Sequence, residues 1–152
     1  MTENAYRVRK FEIRDLDELF RLRRLLWDGV TATDHQNEIL EILANADTDQ
    51  IFVAETPIGQ LCGFLEASIR PFVEDCESDA VGYLEGWFVE SQYRQRGIGS
   101  RLVREAESWA RSKGCCEMAS DVEFGNDISL FAHRNLGYSE TSRLVHLRKD
   151  LE

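Results

Sequence analysis

No run of apolar residues in the chain approaches the ~20 needed to cross a bilayer as a helix. The opening residues Met1-Thr2-Glu3-Asn4 also lack the basic-then-apolar order of a secretion signal. The expectation is a cytoplasmic protein without membrane association. Metal ligands are scarce as well. The cysteines, at 62, 76, 115 and 116, form no C-x-x-C pair, and the only histidines are His35, His133 and His146, so no metal site is expected. Cys115 and Cys116 are adjacent and would face opposite sides of a strand, which argues against a bridge between them and for reduced thiols. There is no internal repeat, no low-complexity stretch and nothing that reads as a linker. A single domain spanning 1–152 is expected, long enough to bury roughly 68–70% of its unfolded surface without disulfide or metal. Positive charge is in deficit: 18 basic residues stand against 28 acidic ones, a net charge of −10. Such a surface repels nucleic acid and anionic membranes and favours a cationic partner. Acidity also serves solubility alone, so charge by itself assigns no function.

Periodicity supplies the elements. Residues 6–11 start a strand. Asp15 and Glu18 have capping-box spacing, followed at helical spacing by Leu16, Leu19, Phe20, Arg23 and Leu26, with a stop near Trp27-Asp28-Gly29. A second helix is expected over 34–44. Strands over 50–55 and 60–69 flank a Thr56-Pro57-Ile58-Gly59 turn. An acidic loop covers 70–80, and the strongest strand signal covers 81–89. A helix over 100–113, a short strand over 117–121, a helix over 127–136 and a final strand or strand pair over 139–149 complete the chain. This order predicts an α+β (α/β layered) protein, a central mixed sheet flanked by about four helices. A doubly wound dinucleotide fold is excluded, since the glycine-bearing turn follows the fourth strand and no acidic ribose partner comes after it.

That turn, Arg94-Gln95-Arg96-Gly97-Ile98-Gly99, carries the clearest chemistry. Glycines let backbone approach a phosphate, and the free N–H groups opening the following helix face an anion along the positive end of the helix dipole. Arg94 and Arg96 add positive charge on an otherwise acidic chain. A pyrophosphate is the natural ligand. The lysine of a Walker A loop is missing, so nucleotide hydrolysis is not expected.

Arg94-x-x-Gly97-x-Gly99 resembles the Q/R-x-x-G-x-G/A signature of the GNAT superfamily of acyl-CoA-dependent N-acetyltransferases. The strand before the turn, the helix after it, Asn126 opening the next helix and the Leu136-Gly137-Tyr138 exit agree with that resemblance. It implies the GNAT fold, its sheet mostly antiparallel, and acetyl-CoA as cosubstrate. Gln95, Arg96, Gly97, Ile98, Gly99 and Ser100, with Arg94, would hold the CoA pyrophosphate. Trp87, Phe88 and Val89 would pair by backbone with pantetheine, which is amide-bearing and can add to a sheet edge as a peptide does. Asn126 would hydrogen-bond the pantetheine arm.

Further fragments are similar to one branch of the bacterial aminoglycoside 6′-N-acetyltransferases: Leu26-Trp27-Asp28-Gly29, Ala67-Ser68-Ile69-Arg70, Tyr83-Leu84-Glu85-Gly86, Lys113-Gly114-Cys115 and Glu117-Met118-Ala119-Ser120-Asp121. The resemblance implies a polycationic, hydroxyl-rich substrate, for which carboxylates are the fitting partners. Its substrate contacts fall on Trp27, Phe72, Glu85, Asp121 and Glu140. Phe72 departs from the tyrosine of related enzymes, and Val30 from a histidine, which bears on the range of drugs accepted. Relatives are often dimers, and the resemblance implies a homodimer.

Simpler readings stand beside these. Trp27 at a helix end suits core packing, Glu85 a salt bridge to a nearby arginine, Asp121 a turn cap, and Glu74, Asp75, Glu77 and Asp79 a solvated loop. The expected chemistry is direct attack of a neutral amine on the thioester, with strand N–H groups near Phe88 or Val89 stabilising the oxyanion. Carboxylates that hold ammonium groups also keep the amine protonated, so a base is needed, and Glu85 or Asp121 is the candidate. His133 stands where many GNAT proteins carry a tyrosine; it either donates to the leaving thiolate or fills space. Two rival classes remain at this stage: a GNAT enzyme for another amine (a polyamine or a protein N-terminus) and a non-catalytic acyl-CoA-binding module.

Overall fold

The computed structural model describes residues 5–152, and the chain divides into two compact units, Met1–Asp121 and Val122–Glu152. The first unit holds β1 (Arg7–Lys10), α1 (Leu16–Leu26), α2 (Ala32–Ala44), β2 (Asp49–Glu55), β3 (Leu61–Arg70), β4 (Val81–Val89), α3 (Ile98–Ser112) and β5 (Glu117–Ser120). The five strands form one sheet in the order β1-β2-β3-β4-β5. Neighbours are antiparallel except β4 and β5, which are parallel. The second unit holds α4 (Asp127–Asn135) and an extended segment up to Glu152. The mixed, mostly antiparallel α+β sheet is the expected one.

Alternation along β2 shows how the layers form. Ile51 and Val53 join Leu19 and Leu22 of α1, Ile39 of α2, and Leu61 and Phe64 of β3 in one fully buried cluster. Phe52, between them, points the other way and meets Trp109 of α3 edge-on at 6.3 Å. The period-two pattern of the strand thus feeds two apolar layers, one under α1 and α2 and one under α3. The α3 stripe Leu102, Val103, Ala106, Trp109 and Ala110 is buried, as its 3.6-residue spacing requires.

Three local expectations are corrected. Asp15 does not box with Glu18. It ends a short 3-10 turn, Ile13–Asp15, and accepts the Glu12 N–H at 2.8 Å, so the reciprocal cap sits one turn earlier. Glu18 instead accepts the Leu61 N–H at 3.2 Å and pairs with Arg21. The second helix begins at Ala32, because Thr31 Oγ1 takes the Asp34 N–H at 3.1 Å and acts as the cap. No strand lies within 139–152, although the alternation there reads as one. A strand needs a neighbour for its N–H and C=O groups, and none of the described strands takes that place. Leu144, Val145, Leu147 and Leu151 are left exposed.

Asp15 also anchors β1. Arg9 grips it with two bonds, 2.7 and 2.9 Å, while its Nε reaches Glu55 at 2.9 Å. Burial alone would raise the Asp15 pKa, but the Arg9 bonds and the Glu12 amide outweigh it and hold the carboxyl below its usual range. A depressed folded pKa adds stability above the unfolded value, about 4, and that stability is lost as pH falls through the folded value. Asp15→Asn should therefore cost about 2 kcal/mol at neutral pH. In urea melts taken at successively lower pH, its deficit should shrink towards zero in acid.

Candidate active site

The turn after β4 is built for an anion. Gln95 and Gly97 both have positive φ, 64° and 78°, the left-handed conformation from which anion-binding backbone nests are built. Gly97 is the N-cap of α3 and provides no side-chain cap. The first intrahelical bond is Arg101 N–H to Gly97 O at 3.1 Å, so the N–H groups of Ile98, Gly99 and Ser100 precede the ladder. The other α-helices differ. The first turns of α1, α2 and α4 carry acidic residues, whereas α3 has none. In a chain of net charge −10 this start alone, among the described α-helices, has a first turn without an acidic residue. Bonds to β4 brace it: Trp87 Nε1 of β4 donates to Gly99 O at 3.1 Å, and Arg94 Nε of the turn donates to Val89 O at 2.8 Å.

Beside the turn the sheet splits. The β4–β5 ladder runs only from Val81–Glu117 to Leu84–Ser120, while β4 continues to Val89. Residues 85–89 therefore extend past the end of β5. The split coincides with a β-bulge. Opposite β3, Leu84 pairs with Ala67 and Gly86 with Glu66, so Glu85 is the extra residue of β4. Instead of a carboxylate buried in an apolar strand, Glu85 is about one-third exposed, at 34%.

Glu85 is held on three sides. Ser68 Oγ donates to it at 2.6 Å, and Arg70 grips both oxygens at 2.9 and 2.7 Å. The salt-bridge reading of Glu85 is thus realised, and its partner is Arg70. The guanidinium carbon of Arg70 also lies over the Tyr83 ring, 3.6 Å from its centre, and the Tyr83 hydroxyl donates to Asp121 at 2.6 Å. Burial first, and then the bond to Asp121, keep that hydroxyl protonated far above its ordinary pKa. Asp49, opposite Ser68 across the β2–β3 ladder, adds a third carboxylate, its pKa raised by burial and then by the charges of Glu85 and Glu41. Glu85 and Asp121, expected at strand ends, are brought into one cluster. Ser68, Arg70, Tyr83 and Asp49 were not foreseen; the available signal was that 68 and 70 share a face of β3, as 81 and 83 do on β4.

Trp27 ends α1 as its C-cap and packs against the core, edge-on to Phe64 at 5.9 Å. It also lies directly under the bulge, since a Cβ on Gly86 would come within 2.4 Å of its ring. Its other supports are charged. Arg23, 1% exposed, stacks on the indole at 4.7 Å, is ion-paired with Glu66 and Glu38, and donates to His35 Nδ1 at 3.2 Å. Because Nδ1 accepts, Nε2 carries the proton and donates to Trp27 O at 3.2 Å. The core-packing reading of Trp27 is realised. Gly86→Ala should push the indole aside and weaken binding of a cationic ligand at the cluster about tenfold, with binding of an anion at the α3 turn nearly unchanged; calorimetric titration with each reads both.

The remaining candidates are placed as follows. Phe72 follows β3 and is 75% exposed. In the second unit, Asn126 caps α4 by accepting the Ser129 N–H at 3.2 Å. His133 is buried and donates from Nδ1 to the Ser129 carbonyl at 2.7 Å, with Tyr138 edge-on at 5.7 Å. Glu140 is paired with Arg134 and Arg143, which lower its pKa, Arg143 contributing more. The four cysteines are free; burial raises the thiols of Cys62, to about 11, and of Cys115, so neither is a ready nucleophile. No cluster of metal-ligating side chains occurs among the described residues, and no helix there is long and apolar enough to cross a membrane.

An uncapped helix start after a split parallel pair, beside a cluster of carboxylates, is the arrangement of an acyl-CoA-dependent transferase. The family model of the Acetyltransferase (GNAT) family matches residues 16–138. The chain belongs to that family. Among its relatives, the aminoglycoside N(6')-acetyltransferase type 1 of Klebsiella aerogenes is 40% identical over 146 residues, 95% of this chain and 96% of that protein. The enzyme of the same name from Stenotrophomonas maltophilia is 35% identical over all of this chain and 98% of its own. Among solved structures, AAC(6')-Iy in complex with the bisubstrate analog CoA-S-monomethyl-acetylneamine superposes with a TM-score of 0.91 at 37% identity, covering 96% of this chain and 99% of that one. AAC(6')-Ih from Acinetobacter baumannii gives 0.90 at 34% identity, covering 97% and 99%.

Proposed function

We propose that this acetyltransferase moves the acetyl group of acetyl-CoA onto the 6′-amine of aminoglycosides by direct attack in a ternary complex. The observation that carries the reading is that Glu85 of β4 and Asp121, just past β5, flank the split, with Asp49 of β2 in the same cluster, while β4 runs on to the turn that opens α3 uncapped. The relatives act on aminoglycosides by name, and a neighbouring structure holds CoA joined to an aminoglycoside. Arg94 and the backbone from Gln95 to Ser100 take the pyrophosphate. Trp87 to Val89 pair with pantetheine along the stretch of β4 that β5 does not cover, and N–H groups near Phe88 or Val89 stabilise the oxyanion. Trp27, Phe72, Glu85 and Asp121 receive the substrate.

Asp121 suits the base better than Glu85. Glu85 already accepts three hydrogen bonds, two of them from a guanidinium, whereas the Asp121 carboxylate accepts from a neutral phenol. The roles of the second unit rest on family resemblance alone: Asn126 binds the pantetheine arm, Glu140 a substrate ammonium, and His133 protonates the thiolate. With Nδ1–H committed to Ser129 O, His133 can donate through Nε2 only as imidazolium. His133→Ala should therefore lower kcat about tenfold and leave KM for acetyl-CoA nearly unchanged; steady-state kinetics decides.

The single-domain reading is supported by the family match, which runs across the boundary at Asp121. A homodimer, formed by pairing of the extended C-terminal segment with a second copy, would give its exposed leucines and Val145 a partner. The protein acts in the cytoplasm, with no nucleic acid, membrane or metal in its cycle. The test is CoA release with neamine, an aminoglycoside lacking the 6′-amine, spermidine and a short peptide. Turnover confined to the 6′-amine drug supports the reading. Turnover of spermidine or peptide in its place, or CoA binding without turnover, overturns it.

A further inference from the structure

We propose that Arg70 is an internal counter-ion of the substrate site: in the free enzyme its guanidinium occupies the place on Glu85 that a substrate ammonium takes, and so sets the affinity threshold for cations. This rests on the aminoglycoside reading of the cluster. An ionised carboxylate offers about four acceptor positions. Three of those on Glu85 are filled, one by Ser68 and two by Arg70. Ser68 is buried and cannot withdraw. One position stays open, so an ammonium can take more than one position on Glu85 only by replacing Arg70.

The arginine is placed to be replaced. It is the last residue of β3, its side chain is 41% exposed, and the loop 71–80 follows it directly. Tyr83 gives the guanidinium a second site, since the face over which it lies remains when the Glu85 bonds are lost. Asp121, bonded to the same tyrosine, is exposed and gives an incoming cation a first contact. The bland alternative is a bridge that merely ties β3 to β4, but the paired ladder from Gly63–Val89 to Arg70–Val81 already does this. A merely structural bridge would also gain nothing from being open to solvent and stacked on the partner of Asp121.

The test compares the parent with Arg70→Gln and Arg70→Ala, using neamine as substrate and probe. KM and the calorimetric Kd for neamine should fall about fivefold in Arg70→Gln, the effect of removing one well-formed but part-exposed ion pair, while KM for acetyl-CoA stays constant. In Arg70→Ala, low-millimolar methylguanidinium should restore the weaker parental KM, and it should leave the parent unaffected. Arg70→Lys, which keeps the charge without the fork, should lie between and covers the case in which the neutral variants do not fold. Turnover of neamine by all proteins with KM unchanged or raised, and no response to methylguanidinium, would overturn the role of Arg70 alone. No turnover of any aminoglycoside by the parent would overturn the substrate reading beneath it.

Discussion

Gly97→Asp should leave the melting temperature within a few degrees of the parent and weaken acetyl-CoA binding about a hundredfold. The two effects part because the turn serves the ligand rather than the fold. Gly97 has φ 78°, a left-handed conformation that aspartate tolerates better than most residues, and a Cβ there would meet nothing within 4 Å. An aspartate at the N-cap also accepts helix N–H groups and suits the dipole, which offsets the backbone cost. The same carboxylate takes the amides that a pyrophosphate needs and repels it. Thermal melts with and without CoA, with calorimetry, measure both sides. Parallel loss of folding and binding would mean that the turn is structural.

The second large effect concerns the acceptor side. Asp121→Asn keeps an oxygen for the Tyr83 hydroxyl, so the shape of the cluster should survive. What it removes is a negative charge and a base. kcat/KM for an aminoglycoside should fall by roughly a hundredfold or more, with CoA affinity unchanged. Because the base acts in the transition state, most of the loss should fall on kcat. A loss confined to KM would make Asp121 an ammonium anchor and leave the base elsewhere.

These expectations divide along what was legible in the sequence. The cofactor turn was readable because its signal is local: glycines, arginines and a helix start within six residues. Glu85 and Asp121 were readable as carboxylates on neighbouring strands. Their partners were not, since Arg70 and Ser68 reach Glu85 only because a bulge shifts the phase of β4, and strand register is a long-range property. The Arg23 network left a fainter trace. Arg23 falls on the apolar stripe of α1 and Glu66 within the buried run of β3, and two opposite charges on core faces are a reason to pair them. The C-terminal segment misled because alternation records an amphipathic strand without saying which neighbour completes it.

Everything in the proposed reaction depends on the start of α3 holding a diphosphate. The most direct measurement is calorimetric titration of the folded protein with CoA and, separately, with pantetheine, which lacks the diphosphate. The expected result is saturable heat with CoA in the micromolar range and binding by pantetheine weaker by orders of magnitude. Equal affinity for the two, or no heat with CoA, would contradict it.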